Sequence, residues 1–203
     1  GEGGMVTTKN EDLWRKMWAY KDHGKSFEAV SQKDTSHEFK WLHESFGSNF
    51  RMTEIQAAIG RIQLRKISSW NKERTDNAHS LKKICDCYPK LLRSPDCPKN
   101  SIHAFYKFYT YLKPEGLKDG WSRDKIIKAI NNLGVPCYSG ACPEIYLESA
   151  FEQTAFRPKK RMSIAKTLGK TSLAFLVHPS LIKHDVDKMK KVMHEIFKQA
   201  SRD

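Results

Sequence analysis

Apolar residues in the second half of the chain alternate between the two-residue period of strands and the three-to-four-residue period of helices. The predicted strands are 102–112, 135–138 and 173–177, and the predicted helices are 123–133, 161–168 and 185–199. Ser122 is a favourable N-cap for the first of these helices, and Gly134 is a favourable stop after it. This order of elements predicts a small sheet that is covered by helices.

The first half has mainly helical patterns. A short strand is predicted over 4–8, and Asn10 then caps a helix that ends at Gly24. A long ordered loop is predicted over 25–48. Thr53 and Gln56 form a capping box that begins a helix, with an apolar stripe at Ile55, Ala58, Ile59, Ile62, Leu64 and Ile67. A second helix is predicted over 70–87, followed by an irregular segment over 89–101.

This pattern predicts an α/β protein with two parts. One strand cannot form a sheet by itself, so residues 1–66 are expected to be part of a larger domain. Residues 67–203 are expected to form a small α/β domain of their own. Hydrophobic residues make up 39% of the 203 residues, which is enough for a real core.

Composition narrows the class of protein. No apolar run approaches the roughly 20 residues that a membrane-spanning helix needs. The five cysteines are odd in number and irregularly spaced, which argues against a disulfide framework and favours a reduced, cytoplasmic protein. The histidines do not have the spacing of a zinc site.

The formal net charge of +13 allows two interpretations. It suits a nucleic-acid-binding module, and it equally suits an enzyme that receives anionic substrates. Lys and Arg are dispersed along the chain, and the one local run is 159–161. Dispersed charge is typical of a solvated surface, so nucleic-acid binding is the less favoured interpretation.

Three segments together resemble one enzyme family, the DegT/DnrJ-type nucleotide-sugar aminotransferases. These segments are 1–8 (GEGGMVTT), 22–24 (DHG) and 47–60 (GSNFRMTEIQAAIG), with weaker similarity at 134–136 (GVP) and 176–179 (LVHP). The resemblance covers essentially the whole chain. It implies a fold-type I enzyme with pyridoxal 5'-phosphate (PLP) as cofactor, residues 1–66 being the end of the PLP-binding large domain.

The resemblance also implies partners and site residues. Such enzymes work as homodimers and transfer an amino group, usually from glutamate, to a keto sugar carried on a nucleotide. Asn49 is implied to hold the phosphate of the partner subunit's PLP, with Arg51 close by; an amide N–H suits this role. Without the resemblance, Asn49 reads as a loop asparagine that holds a turn.

The Schiff-base lysine of the family is expected upstream of Gly1, so no residue of this chain is assigned as catalytic and the chain alone is expected to be inactive. One segment departs from the family: where a His-Tyr-x-Pro-x-His-like stretch lines the sugar pocket, this chain has Cys137 and Cys142 at the histidine positions. Tyr138 and Ser139 are placed near the substrate. His178 is assigned there too, although a structural histidine is the commoner outcome at a strand end.

Two other functions stay open. Some relatives of this fold replace the lysine with histidine and are PLP-dependent sugar dehydratases, and the discriminating residue would lie before Gly1. The third hypothesis is a non-enzymatic basic binding module, which predicts a focused basic patch with exposed aromatic residues.

Overall fold

The computed structural model describes residues 2–32 and 42–202. The chain divides into two compact units, Gly1–Lys66 and Ile67–Asp203. The boundary between the units falls inside one long helix, so each unit contains part of that helix.

The second unit is built on a four-stranded sheet. Its strands are β1 (Leu92–Arg93), β2 (Phe108–Leu112), β3 (Cys137–Tyr138) and β4 (Ser172–Phe175). The strand order is β1-β2-β4-β3, and every neighbouring pair is antiparallel. All four residues of β4 are buried, so this strand forms the centre of the unit. The mixed α/β class predicted from the sequence is confirmed.

Helices enclose the core of this unit. They are α3 (Glu54–Asp86), α4 (Arg123–Asn132), α5 (Ser163–Thr171) and α6 (Lys183–Ala200). Ser122 caps α4 by accepting a hydrogen bond from the Lys125 N–H at 3.2 Å, as predicted, and Gly134 follows α4 with φ +72°. Seven residues of α6 are buried, including Met193 and Phe197, which confirms the predicted apolar stripe on the last helix.

The first unit contains α1 (Glu11–Lys21), α2 (Phe27–Ser31) and the beginning of α3. Asn10 caps α1 by accepting from the Leu13 N–H at 2.8 Å. The capping box at the start of α3 is confirmed in both directions: the Gln56 N–H donates to Thr53 Oγ1 at 3.3 Å, and the Thr53 N–H donates to Gln56 Oε1 at 2.9 Å.

Two predicted strands are wrong in place or length. Residues 4–8 are irregular, because the described part of the first unit contains no strand that could satisfy their backbone hydrogen bonds. The strand predicted over 102–112 begins only at Phe108, where its partner β4 becomes available. Ile102 and Tyr106 are 96% and 80% exposed, so the alternating pattern of apolar residues here does not correspond to a buried face.

Two helix predictions are also corrected. The segment predicted as a loop over 25–48 contains α2, and residues 33–41 of that segment lie outside the described residues. The two helices predicted before and after residue 70 are one helix, α3, because no proline interrupts its backbone hydrogen bonds.

The long helix α3 is buried only toward its C-terminal end. Ala78, Leu81 and Cys85 are buried in the core of the second unit. By contrast, Ile55 and Leu64 on the predicted apolar stripe are 75% and 70% exposed. None of the described helices is long and apolar enough to cross a membrane.

Candidate functional site

Asn49 lies in a short segment that is held against the end of α1 by backbone hydrogen bonds. The Ser48 N–H donates to Tyr20 O at 2.7 Å, and the Phe50 N–H donates to Lys21 O at 3.0 Å. The return bond runs from the His23 N–H to Ser48 O at 3.1 Å. Three backbone bonds within so few residues fix the position of the Asn49 backbone.

The turn after α1 makes this pairing sterically feasible. His23 and Gly24 both have positive φ, at 60° and 87°, a conformation that glycine adopts at low cost. A Cβ atom on Gly24 would lie 1.7 Å from Ser45 O, so no side chain fits at this position. Glycine at position 24 is therefore required by backbone geometry, independently of any ligand.

Asn49, Arg51 and Asp22 form a polar cluster beside this turn. Arg51 Nε donates to Asn49 Oδ1 at 3.1 Å, and Arg51 Nη1 lies 3.5 Å from Asp22 Oδ1. Lys25 Nζ lies 3.8 Å from the same carboxylate oxygen. The Asp22 side chain is only 9% exposed, whereas that of Arg51 is 49% exposed. The structure thus brings together the two residues that the sequence predicts near a phosphate, and adds Asp22, whose part in the cluster no sequence pattern indicates.

The donor set of this cluster suits a phosphate group. A phosphate accepts hydrogen bonds and carries negative charge, and the cluster offers an amide N–H₂ and a guanidinium on accessible side chains. Asn49 and Arg51 are both exposed, so a ligand can reach them. The residues present therefore fit the phosphate end of PLP.

Tyr138 and Ser139 lie together at one edge of the sheet in the second unit. Tyr138 is 46% exposed and pairs with Ala174 of β4. The backbone oxygen of Ser139 accepts from Ser172 Oγ at 2.6 Å, which fixes the end of β3. Lys107 Nζ lies 5.7 Å from the centre of the Tyr138 ring, within the range of a cation–π contact. This edge offers a phenol, a hydroxyl and a cation on accessible side chains.

His178 and Ser139 lie near opposite ends of β4. Ser139 contacts Ser172, the first residue of β4, whereas His178 follows Phe175, the last residue, by three positions. His178 Nδ1 accepts from the Ser180 N–H at 3.2 Å, so the neutral ring carries its proton on Nε2. The exposed His178 can therefore donate a hydrogen bond, but the fold separates it from Ser139.

A second polar cluster was not predicted from the sequence. Arg161 binds the Glu144 carboxylate through Nε at 2.8 Å and Nη2 at 2.6 Å, and the Tyr146 hydroxyl donates to the same carboxylate at 2.6 Å. These hydrogen bonds, led by that from Arg161, lower the pKa of Glu144 to about 2. The cluster ties together the irregular segment between β3 and α5. No local sequence pattern signals it, since Glu144 and Arg161 are far apart along the chain.

The chain is therefore an α/β protein with a candidate phosphate site. It has a small antiparallel sheet with covering helices. An earlier segment of the chain presents Asn and Arg beside a tight Asp-His-Gly turn. The model of the DegT/DnrJ/EryC1/StrS aminotransferase family matches residues 1–196. The chain belongs to this family, and the resemblance noted in the sequence is confirmed.

Individual relatives agree with this assignment. The crystal structure of an aminotransferase from Psychrobacter cryohalolentis is similar with a TM-score of 0.90 and 47% identity, over 95% of this chain and 51% of that chain. The spore coat polysaccharide biosynthesis protein SpsC of Bacillus subtilis is 25% identical over 98% of this chain and 51% of its own length. GDP-perosamine synthase of Caulobacter vibrioides is 26% identical over 97% of this chain and 48% of its own length. The chain thus spans about half the length of the curated relatives it matches.

Proposed function

We propose that the full-length gene product is a PLP-dependent aminotransferase that transfers an amino group from glutamate to a nucleotide-linked keto sugar in the cytoplasm. The observation that carries the proposal is the Asn49–Arg51 pair, which lies in the segment that matches the family and presents an amide and a guanidinium on exposed side chains that suit a phosphate. The relatives named for perosamine and for coat polysaccharide synthesis support a sugar substrate.

In this proposal, residues 1–66 are the end of the PLP-binding large domain and residues 67–203 are the small C-terminal domain. The protein acts as a homodimer, in which Asn49 donates from its side-chain amide to the phosphate of the partner subunit's cofactor. Arg51 adds a positive charge nearby, which favours a phosphate dianion over a neutral ligand. PLP supplies the electron sink of the reaction when it is bound.

The lysine that bonds to the cofactor lies before Gly1 in this proposal, so the chain by itself is inactive. Its own residues contribute binding and orientation. Tyr138 and Ser139 contact one part of the nucleotide sugar, and His178 donates from Nε2 to a different part. A nucleotide sugar is an extended ligand with separate sugar, diphosphate and base groups, so residues from both ends of β4 can serve one substrate.

Reductive labelling of the full-length gene product tests this function. The protein is incubated with PLP, reduced with borohydride and digested, and the modified residue is located by mass spectrometry. A single labelled lysine shortly before Gly1 is the expected result. Retention of PLP without a labelled lysine would indicate a sugar dehydratase of the same fold. Failure to bind PLP at all would refute the proposal and reopen the hypothesis of a basic binding module.

The amino acceptor and donor are tested on the same protein. Incubation with glutamate and a panel of nucleotide-linked keto sugars is expected to give 2-oxoglutarate and an amino sugar in equal amounts, as measured by mass spectrometry. Tyr138→Phe and Ser139→Ala are expected to raise KM for the sugar with little effect on KM for glutamate. An equal effect on both substrates would contradict a sugar contact at this edge.

A further inference from the structure

Asp22 is a buried carboxylate next to the candidate phosphate site, but it cannot itself bind a phosphate because both carry negative charge. We infer that Asp22 is a positioning residue: it holds the guanidinium of Arg51, and Arg51 fixes the Asn49 amide with its N–H₂ group toward the ligand. This inference rests on the proposed function, because it concerns how the same site recognises a phosphate.

The orientation of the Asn49 side chain follows from its neighbours. The Arg51 backbone N–H and the Arg51 Nε–H both point to one atom of the Asn49 amide, at 3.4 and 3.1 Å. Both groups are donors only, so the atom they share must be the carbonyl oxygen, Oδ1. The amide N–H₂ therefore points away from Arg51. Within the described residues it donates to no protein group, so it is available to a ligand.

Arg51 can hold this orientation only if its guanidinium stays in place. Arginine has several rotatable bonds, and an exposed guanidinium loses entropy when it is fixed. Asp22 opposes this freedom, since its Oδ1 lies 3.5 Å from Arg51 Nη1 and forms an ion pair with it. The ion pair is partly screened because Arg51 is half exposed, but the carboxylate itself is nearly buried.

The backbone makes Asp22 suited to this role. Asp22 forms an isolated β-bridge with Asn49, so the residue that anchors Arg51 and the residue that Arg51 orients are paired directly. Among the described residues, Lys25 is a second cation near this carboxylate, with Nζ at 3.8 Å from Asp22 Oδ1 and a side chain that is 24% exposed. The three residues Asp22, Asn49 and Arg51 therefore form one chain of contacts that ends at a free amide donor.

The test compares PLP with pyridoxal, which lacks the phosphate, in the full-length gene product. Dissociation constants are measured by absorbance titration for the wild type, Asp22→Asn, Asn49→Ala and the double variant. Asp12→Asn is the matched control, because it removes the same charge from an exposed position on α1. Arg51→Lys tests the contact between Arg51 and Asn49 directly, because it keeps the positive charge but removes the Nε–H that contacts Asn49.

Asp22→Asn and Arg51→Lys are each expected to weaken PLP binding by about threefold to tenfold, the range of one hydrogen bond. Neither is expected to change the affinity for pyridoxal, and Asp22→Asn is expected to have no further effect once Asn49 is alanine. A merely structural role for Asp22 would lower the affinity for both ligands. Circular dichroism verifies that each variant is folded. If Asp22→Asn does not fold, the affinity of Arg51→Lys for PLP and for pyridoxal tests whether Arg51 positions the Asn49 amide.

A failure of the positioning role of Asp22 can be distinguished from a failure of the proposed function. If Asn49→Ala weakens PLP binding but Asp22→Asn and Arg51→Lys do not, the positioning role is overturned and the proposed function stands. If Asp22→Asn acts equally with and without Asn49, Asp22 does not act through that amide, and the inference is again overturned. If the wild type does not bind PLP, both the proposed function and the inference fail.

Discussion

Gly47 packs directly against the backbone of Gly24. A Cβ atom on Gly47 would lie 2.4 Å from the Gly24 nitrogen and 2.7 Å from Tyr20 O, closer than a Cβ atom can approach. This contact brings the segment that contains Asn49 and Arg51 against the end of α1. The two glycines are therefore a steric condition for the candidate phosphate site.

Gly47→Ala is expected to lower the free energy of unfolding by about 1 to 3 kcal/mol, because the added methyl group must displace backbone atoms. Gly60→Ala is the matched control. Gly60 lies within α3, and a methyl group added there would have no neighbouring atom within 4 Å, so alanine is expected to stabilise the protein by about 0.5 to 1 kcal/mol. Urea denaturation measures both changes, and a loss of stability in Gly60→Ala would contradict this explanation.

Thr53→Ala is expected to destabilise the start of α3 by about 1 kcal/mol, because the Gln56 N–H loses its side-chain acceptor. Ser68→Ala, in the exposed interior of the same helix, is the control and is expected to be neutral or slightly stabilising. Thermal unfolding followed by circular dichroism compares the two. Equal melting temperatures would show that the capping box does not stabilise this helix.

Cysteine labelling is expected to separate two groups of thiols. Burial raises the pKa of Cys85 and of Cys137 to about 12, so neither forms an appreciable amount of thiolate at pH 8. The exposed cysteines are Cys87, Cys97 and Cys142. Iodoacetamide at pH 8, followed by mass spectrometry, is expected to modify these three in the native protein and all five after unfolding in urea. Rapid native labelling of Cys137 would contradict its burial beneath α4.

The Glu144–Arg161 pair predicts how stability depends on pH. Glu144 has a folded pKa of about 2 against an ordinary value of 4.5, so its stabilising contribution is fully present above pH 4.5. That contribution is lost as pH falls from 4.5 toward 2, because the carboxylate becomes protonated. Arg161→Gln is expected to lower stability at pH 7 and to reduce the slope of stability between pH 4.5 and 2.

Arg157→Gln is the control for this pH dependence. Arg157 lies 4.0 Å from the exposed Glu152, a distance at which an ion pair contributes little. Its substitution is expected to leave the slope unchanged. Urea unfolding at a series of pH values gives the comparison, and equal slopes for Arg161→Gln and the wild type would show that this pair does not set the acid dependence.

Several elements of the fold could be predicted from local pattern alone. Ser122, Gly134 and the Thr53–Gln56 capping box mark helix ends by hydrogen bonds that form within a few residues, and all are confirmed. The stripe on α6 was predictable because a helix with one apolar face must bury it. The motif at 47–60 identified the family, and Asn49 and Arg51 within it do lie together.

The limits of the strands and the members of the polar clusters could be determined only from the tertiary structure. The extent of β2 is fixed by the four residues of β4, which come more than 60 positions later in the chain, and residues 4–8 have no strand partner in the described part of their unit. Likewise, the roles of Asp22 and Glu144 depend on which cations the fold brings to them. Sequence determined the elements whose stabilising contacts are local and the family to which they belong. Pairing partners, ion pairs and the separation of Ser139 from His178 were decided only by tertiary structure, because those contacts join residues that no local pattern connects.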